Sequence, residues 1–280
     1  MSRKRDLSRR DLMERTTWAL GAMLAAPWLG RSADASIARA EASGAAPAAP
    51  ITGSLQVAMV PYAGFTLLDL VGPLNALALH GTVHVVAATL DPVPSDAGVA
   101  MMPTTTFERC PQELDVLFVP GGFGTAGAME DARILSFLRD RAPRARYVTS
   151  VCSGALVLAA AGLLQGYRAT THWATYDALR LFDVDVRSDR VVIDRNRMTG
   201  GGVTAGIDFG LTLLSILRDE PTAKMTQLLM EYAPEPPFDA GRPELAGPEI
   251  TALASAALAP LNAGIEKAAR AAVARIKAGG

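Results

Sequence analysis

A chain of 280 residues is long enough for one large domain or two small ones, and with half of its residues hydrophobic it can fill a core. A formal charge of −1, with no basic stripe through the body, argues against nucleic acid as a partner. Two cysteines cannot supply a disulfide framework, so none holds this fold.

Residues 1–35 read as a signal rather than as fold. Ser8-Arg9-Arg10-Asp11-Leu12-Met13 is a twin-arginine pattern, an uncharged apolar run follows over residues 16–30, and Ala33-Asp34-Ala35 offers a small-x-small cleavage site. The run is too short to span a bilayer, and no cysteine follows it for a lipid anchor. The expectation is export to the periplasm with cleavage near Ala35 and no stable membrane anchor. Residues 36–53, rich in Ala, Ser, Gly and Pro, read as a disordered leader.

From residue 54 short apolar runs alternate with helical patterns. Strands are expected over 55–60, 83–88, 115–119, 146–151 and 191–193, and helices over 66–79, 132–141, 153–164, 174–182, 203–217 and 222–232. Alternation of this kind predicts an α/β fold, a doubly wound, mostly parallel sheet over residues 54–232. The Pro-rich stretch 233–243 cannot be regular, and an Ala-rich helical extension is expected over 248–277 with a break at Pro260, completing a C-terminal region over 233–280. Cys110 precedes its strand and Cys152 ends its own. They should lie about one strand length apart, roughly 16 Å, whereas a disulfide needs Cα atoms within about 7 Å.

Four places could carry chemistry. Ala145-Arg-Tyr-Val-Thr-Ser-Val-Cys152-Ser-Gly154 reads as a buried strand, a cysteine and an immediate helix, a turn that pushes the middle side chain out at the sheet edge. The helix N-terminus there should draw the thiol toward thiolate; the plainer alternative is a cysteine packed as a small hydrophobe. Gly121-Gly122, directly after a strand, could leave amides free for an oxyanion-type site. Gly122-Phe-Gly-Thr-Ala-Gly127 also fits a dinucleotide motif, but the required acid is missing, since Asp140 falls inside a helix. Asp69, flanked by Leu67, Leu68, Leu70 and Val71, is either a buried carboxyl with a raised pKa or an acid stabilised by a helix N-terminus. His172 opens a helix and is structural or catalytic, and the loop around Gly201 lines the cleft or packs helix against sheet. His80 and His84 have no companions at metal spacing, so no metal is expected.

Taken together, Leu68-Asp-Leu-Val-Gly-Pro73, Val119-Pro-Gly-Gly122, the Cys152 segment, Ala161-Gly-Leu-Leu-Gln-Gly166, Arg168-Ala-Thr-Thr-His-Trp173, Thr199-Gly-Gly-Gly202, Thr204-Ala-Gly-Ile-Asp-Phe209 and Glu231-Tyr-Ala-Pro234 resemble the ThiJ/PfpI superfamily of class I glutamine-amidotransferase-like proteins. Within it they resemble the isonitrile hydratases, over roughly residues 55–243. The resemblance implies a flavodoxin-like sheet with a nucleophile-elbow cysteine, Cys152 as nucleophile and Asp69 as general acid/base. Ser153 stands where the family commonly has Thr, and Gly121, Gly122, His172 and Gly201 take supporting places. It also implies a homodimer, a small-molecule substrate and no metal or organic cofactor. The implied reaction is hydration of an isocyanide to an N-substituted formamide through a cysteine thioimidate. Protease-like members carry His directly after the cysteine, which this chain lacks. The rival readings are a glyoxalase-like or amidase-like thiol enzyme and a non-catalytic ligand-binding or redox-sensing domain.

Overall fold

Valine, isoleucine and leucine runs bounded by turn residues build the centre of the molecule. The computed structural model describes residues 49–279. The strands are β1 (Leu55–Met59), β2 (Gly81–Ala87), β3 (Val93–Pro94), β4 (Ala100–Met101), β5 (Thr105–Thr106), β6 (Leu114–Val119), β7 (Ala145–Val151), β8 (Arg168–Ala169), β9 (Asp185–Val186), β10 (Val191–Asp194) and β11 (Arg197–Gly200). Seven of them form one sheet in the order β10-β11-β7-β6-β1-β2-β5, parallel throughout except for the β10–β11 pair. Strands β1 and β6 read as near-continuous hydrophobic runs, and β7 is nearly as buried, because all three lie inside this sheet with parallel neighbours on both sides.

The helices are α1 (Leu67–Leu77), α2 (Thr125–Glu130), α3 (Ala132–Arg141), α4 (Gly154–Ala160), α5 (Tyr176–Arg180), α6 (Ala205–Leu217), α7 (Glu220–Leu229) and α8 (Pro243–Ala278). Helix α3 starts where Asp131 Oδ1 accepts the Arg133 amide at 2.8 Å, and α7 where Asp219 Oδ1 accepts that of Thr222 at 2.7 Å. One helical group joins α1, α6 and α7, and another joins α2, α3, α4, α5 and α8. The α1–α6 contact is close because Gly206 and Gly210 face Pro73: a Cβ on Gly210 would sit 3.0 Å from Ala76 Cβ. Beneath α6, the Phe118 and Phe209 rings meet at 5.7 Å in the core.

Several sequence expectations need correction. Residues 199–200, read as part of a glycine loop, end strand β11, which lies between β7 and β10. Helix α2 was not expected, and α4 stops at Ala160, where Gly162 turns the chain with φ 78°. The C-terminal helix passes through Pro260 and breaks instead at Gly247, whose φ of 78° no helix accommodates. Its second half is anchored by buried Ile265, Ala268, Ala269 and Ala272, and the Arg275 guanidinium donates to Met129 O at 2.8 Å. Its first half is not covered, with Ile250 53% and Leu253 64% exposed. Among the described residues no helix is long and apolar enough to cross a membrane, and no three His, Cys, Asp or Glu side chains gather as a metal site. The twin-arginine pattern and Ala35 lie outside the described residues.

Candidate active site

The site forms where β6, β7 and β11 end side by side. The register pairs Val119 with Ser150 and Gly200 with Val151, so the next residues on each strand (Pro120-Gly121, Cys152 and Gly201) converge at one edge. Cys152 has φ 53°, a left-handed conformation that non-glycine residues adopt only when their surroundings impose it. Here the surroundings are specific. The Cys152 amide donates to Gly200 O at 3.0 Å and Gly201 O at 2.8 Å, and its carbonyl accepts Thr171 Oγ1 at 2.9 Å. Helix α4 begins two residues later, at Gly154, where a Cβ would lie 2.4 Å from Val119 O.

Asp69 enters this edge from the first turn of α1 and is fully buried. Its Oδ2 accepts the Gly121 amide at 2.9 Å; its Oδ1 meets no nitrogen or oxygen partner. The other hydrogen-bonding group at this carboxyl is the Cys152 thiol. Burial, opposed by these two bonds, pushes the Asp69 pKa up to about 7, and the nearby Asp96 carboxylate adds to the rise. Asp96 itself holds the start of α1, accepting Thr66 Oγ1 at 2.6 Å and the Leu67 amide at 3.4 Å.

The thiol does not follow the sequence expectation. Burial first, then the charge of Asp69, raises the Cys152 pKa far above its ordinary value; the Ser153 and Val203 amides facing the sulfur pull the other way and lose. Helix α4 has only seven residues, so its terminal dipole does not outweigh desolvation of the thiol of a residue that is 6% exposed. The resting pair is therefore a protonated thiol beside a carboxyl poised near neutrality. Cys110 is also buried and free, so neither cysteine is bridged.

The two glycines serve otherwise than as open donors. Gly121 N–H is taken by Asp69, and Gly122 N–H donates to Ser153 Oγ at 3.0 Å. A Cβ on Gly121 would stand 2.5 Å from Ser153 N and 2.7 Å from Cys152 Cβ, so glycine is required for the elbow to close. Gly124 donates to Gly64 O, and a Cβ there would strike Ala63 O, so this glycine run knits to the 62–66 loop rather than cradling a phosphate. Gly201 has no free amide either: it donates to Arg190 O at 2.9 Å.

Three groups that the sequence reading missed complete the site. Tyr62 OH lies 2.9 Å from Pro120 O and 3.0 Å from Thr125 Oγ1, and Thr125 Oγ1 lies 2.7 Å from Ser153 Oγ, making a buried chain of hydroxyls behind the elbow. Thr125 sits inside the glycine motif, where a hydroxyl after two glycines was the available signal. Val203 acts through its amide, which no side chain announces. His172 is half-buried, accepts the Ala174 amide on Nδ1 at 3.3 Å and packs against Gly202 and Trp173. Burial lowers its pKa, and with Nδ1 as acceptor the neutral ring carries its proton on Nε2. His80 and His84 are engaged with Thr226 Oγ1 at 2.8 Å and Gln56 Oε1 at 2.9 Å, in separate places.

This arrangement can be compared with known proteins. The isonitrile hydratase of Pseudomonas putida is 53% identical over 195 residues, covering 69% of this chain and 85% of that protein. A crystal structure of a ThiJ/PfpI family protein from Pseudomonas syringae superposes with a TM-score of 0.76 at 48% identity, over 78% of this chain and 91% of that one. A mutant of a DJ-1 superfamily protein from Salmonella typhimurium superposes with a TM-score of 0.59 at 26% identity, over 64% and 99%. The DJ-1/PfpI family profile matches residues 55–216. With the sheet order, the strained cysteine and this match in agreement, the chain belongs to the DJ-1/PfpI family.

Proposed function

We propose that the protein hydrates isocyanides to N-substituted formamides, with Cys152 as nucleophile and Asp69 as the group that carries protons. The observation that supports this most is the coupling of a buried, protonated thiol to a carboxyl with a pKa of about 7. Such a carboxyl can both take and return a proton at neutral pH. The similarity to the P. putida enzyme supplies the substrate class.

In this reading the Asp69 carboxylate accepts the thiol proton as Cys152 sulfur bonds to the terminal carbon of R–N≡C. The Ser153 and Val203 amides steady the sulfur charge while it lasts. Asp69 then delivers the proton to that carbon, giving the thioimidate R–N=CH–S. Water adds to the same carbon, its proton passing through Asp69 to nitrogen, to form R–NH–CH(OH)–S. The C–S bond breaks, the hydroxyl proton returns to sulfur, and R–NH–CHO leaves, so one water is consumed per isocyanide. Ser153, held by Gly122 and Thr125, fixes the amide beside the sulfur.

The test is formamide production from an alkyl isocyanide by the purified protein. Wild type should turn over and Cys152→Ala should not; equal rates in the two would end the hydratase reading.

The amino-terminal pattern supports a second proposal, that the protein is exported through the twin-arginine route to the periplasm. Replacing Arg9 and Arg10 with Lys should leave the protein in the cytoplasmic fraction, and an unchanged periplasmic yield would rule this out.

A further inference from the structure

The turn over residues 201–204 meets the elbow at two points. Gly201 O accepts the Cys152 amide at 2.8 Å, and the Val203 amide faces the Cys152 sulfur. Val203 adopts φ 27°, an outlier for a β-branched residue, so something must hold it there. His172 supports the turn from one side, where a Cβ on Gly202 would fall 2.6 Å from its Cδ2.

The other support comes from a polar cluster that the proposed reaction does not use. Arg190 O accepts the Gly201 amide at 2.9 Å. The Arg190 guanidinium reaches past the far end of the same turn, with Nε on Asp208 Oδ2 at 2.6 Å and an Nη on Thr204 Oγ1 at 3.1 Å. Tyr232 OH donates to the Asp208 carboxylate at 3.1 Å and so holds the acid in place. One arginine therefore grips both ends of a four-residue turn, backbone at Gly201 and side chain at Thr204. This also accounts for what Asp208 and Tyr232, distant in sequence and away from the sulfur, do in the fold.

We propose that Arg190 is a positioning residue: with Asp208 and Tyr232 it clamps the 201–204 turn so that the strained Val203 amide stays aimed at the Cys152 sulfur. The inference rests on Cys152 being the reactive group, but not on isocyanide being its substrate. The charged and titratable groups that face the sulfur itself are Asp69 from α1 and Tyr62 from the loop before it. Arg190 acts on neither, so loss of the clamp should change how fast the sulfur reacts and not the pH at which it begins to.

The experiment is alkylation of Cys152 by iodoacetamide in the full chain across pH 5–10, with thermal unfolding measured alongside. Arg190→Ala should lower the plateau rate roughly tenfold, since small misplacements of a reacting geometry have effects of that size or larger. The inflection near pH 7 set by Asp69 should stay in place. The Arg190–Asp208 pair is partly exposed, so the unfolding midpoint should move by only a few degrees. In a Val203→Gly background, where glycine takes a positive φ without strain, adding Arg190→Ala should cost less than about twofold. A plateau unchanged in Arg190→Ala, or an equal loss in both backgrounds, would overturn the clamp. Intact alkylation effects without any formamide from isocyanides would leave the clamp standing and reject the hydratase instead.

Discussion

Asp69→Asn is expected to lower formamide production by about 10³-fold, within the range that a positioned acid or base contributes. Asn can still accept the Gly121 amide, so the elbow should keep its shape while the proton carrier is lost. Wild-type activity should be present above pH 7 and fall as pH drops through about 7, because the carboxylate is the form that accepts the thiol proton. In Asp69→Asn the residual rate should lose that inflection. The same substitution should stabilise the fold at alkaline pH, and the sign follows from linkage. The folded pKa, about 7, lies above the unfolded value near 3.8, so the native state binds more protons between them and its stability falls as pH rises through that window. Relative to its value near pH 4, the stability gap between Asp69→Asn and wild type should open to on the order of 4 kcal/mol at most above pH 7. Denaturant titrations at pH 5 and pH 8 would show it. A gap that does not widen with pH would mean that Asp69 ionises without penalty and is not the buried proton carrier.

Gly121→Ala should add a severely damaging methyl group to the site. The new Cβ would stand 2.5 Å from the Ser153 nitrogen and 2.7 Å from the Cβ of Cys152, and neither atom lies at the far end of a flexible side chain. Relief requires opening the β6–α4 contact, which would cost about 1–3 kcal/mol or more. It would also carry the Gly121 amide away from Asp69, so alkylation of Cys152 and turnover should both collapse. Gly127→Ala is the matched control: its Cβ would meet nothing within 4 Å, and it lies within helix α2. That change should leave activity intact and add up to about 1 kcal/mol of stability. Comparable losses in the two variants, read by thermal unfolding, would show that crowding at the elbow is not what Gly121 avoids.

The parts of this site legible in the sequence were those that announce themselves through side chains and apolar runs. Cys152 stood out because a buried strand led straight into a helix, and Asp69 because four apolar neighbours surrounded an acid. Strand β11 was hidden: Arg197-Met-Thr-Gly200 carries no apolar run, and it is a strand because β7 and β10 offer it partners on both sides. Pro260 was read as a break, yet the helix continues through it on an exposed stretch, while Gly247 makes the turn. The direction of the thiol pKa could not be judged from a helix N-terminus alone, because burial and a neighbouring carboxylate are properties of the packed state. Val203 was beyond reach for a similar reason, since its contribution is a backbone amide in an uncommon conformation.

The protonated state of Cys152 bears on the durability of the protein. Thiolates attack peroxides and disulfides, and a sulfur that remains a thiol at rest presents little of that form. In an oxidising surrounding, a nucleophile kept permanently ionised would be consumed by side reactions between turnovers. In the proposed reaction the sulfur becomes reactive only while Asp69 holds its proton, an event tied to the arrival of an electrophilic carbon. The burial that makes this cysteine slow toward a general reagent is thus also what would preserve it through a long working life.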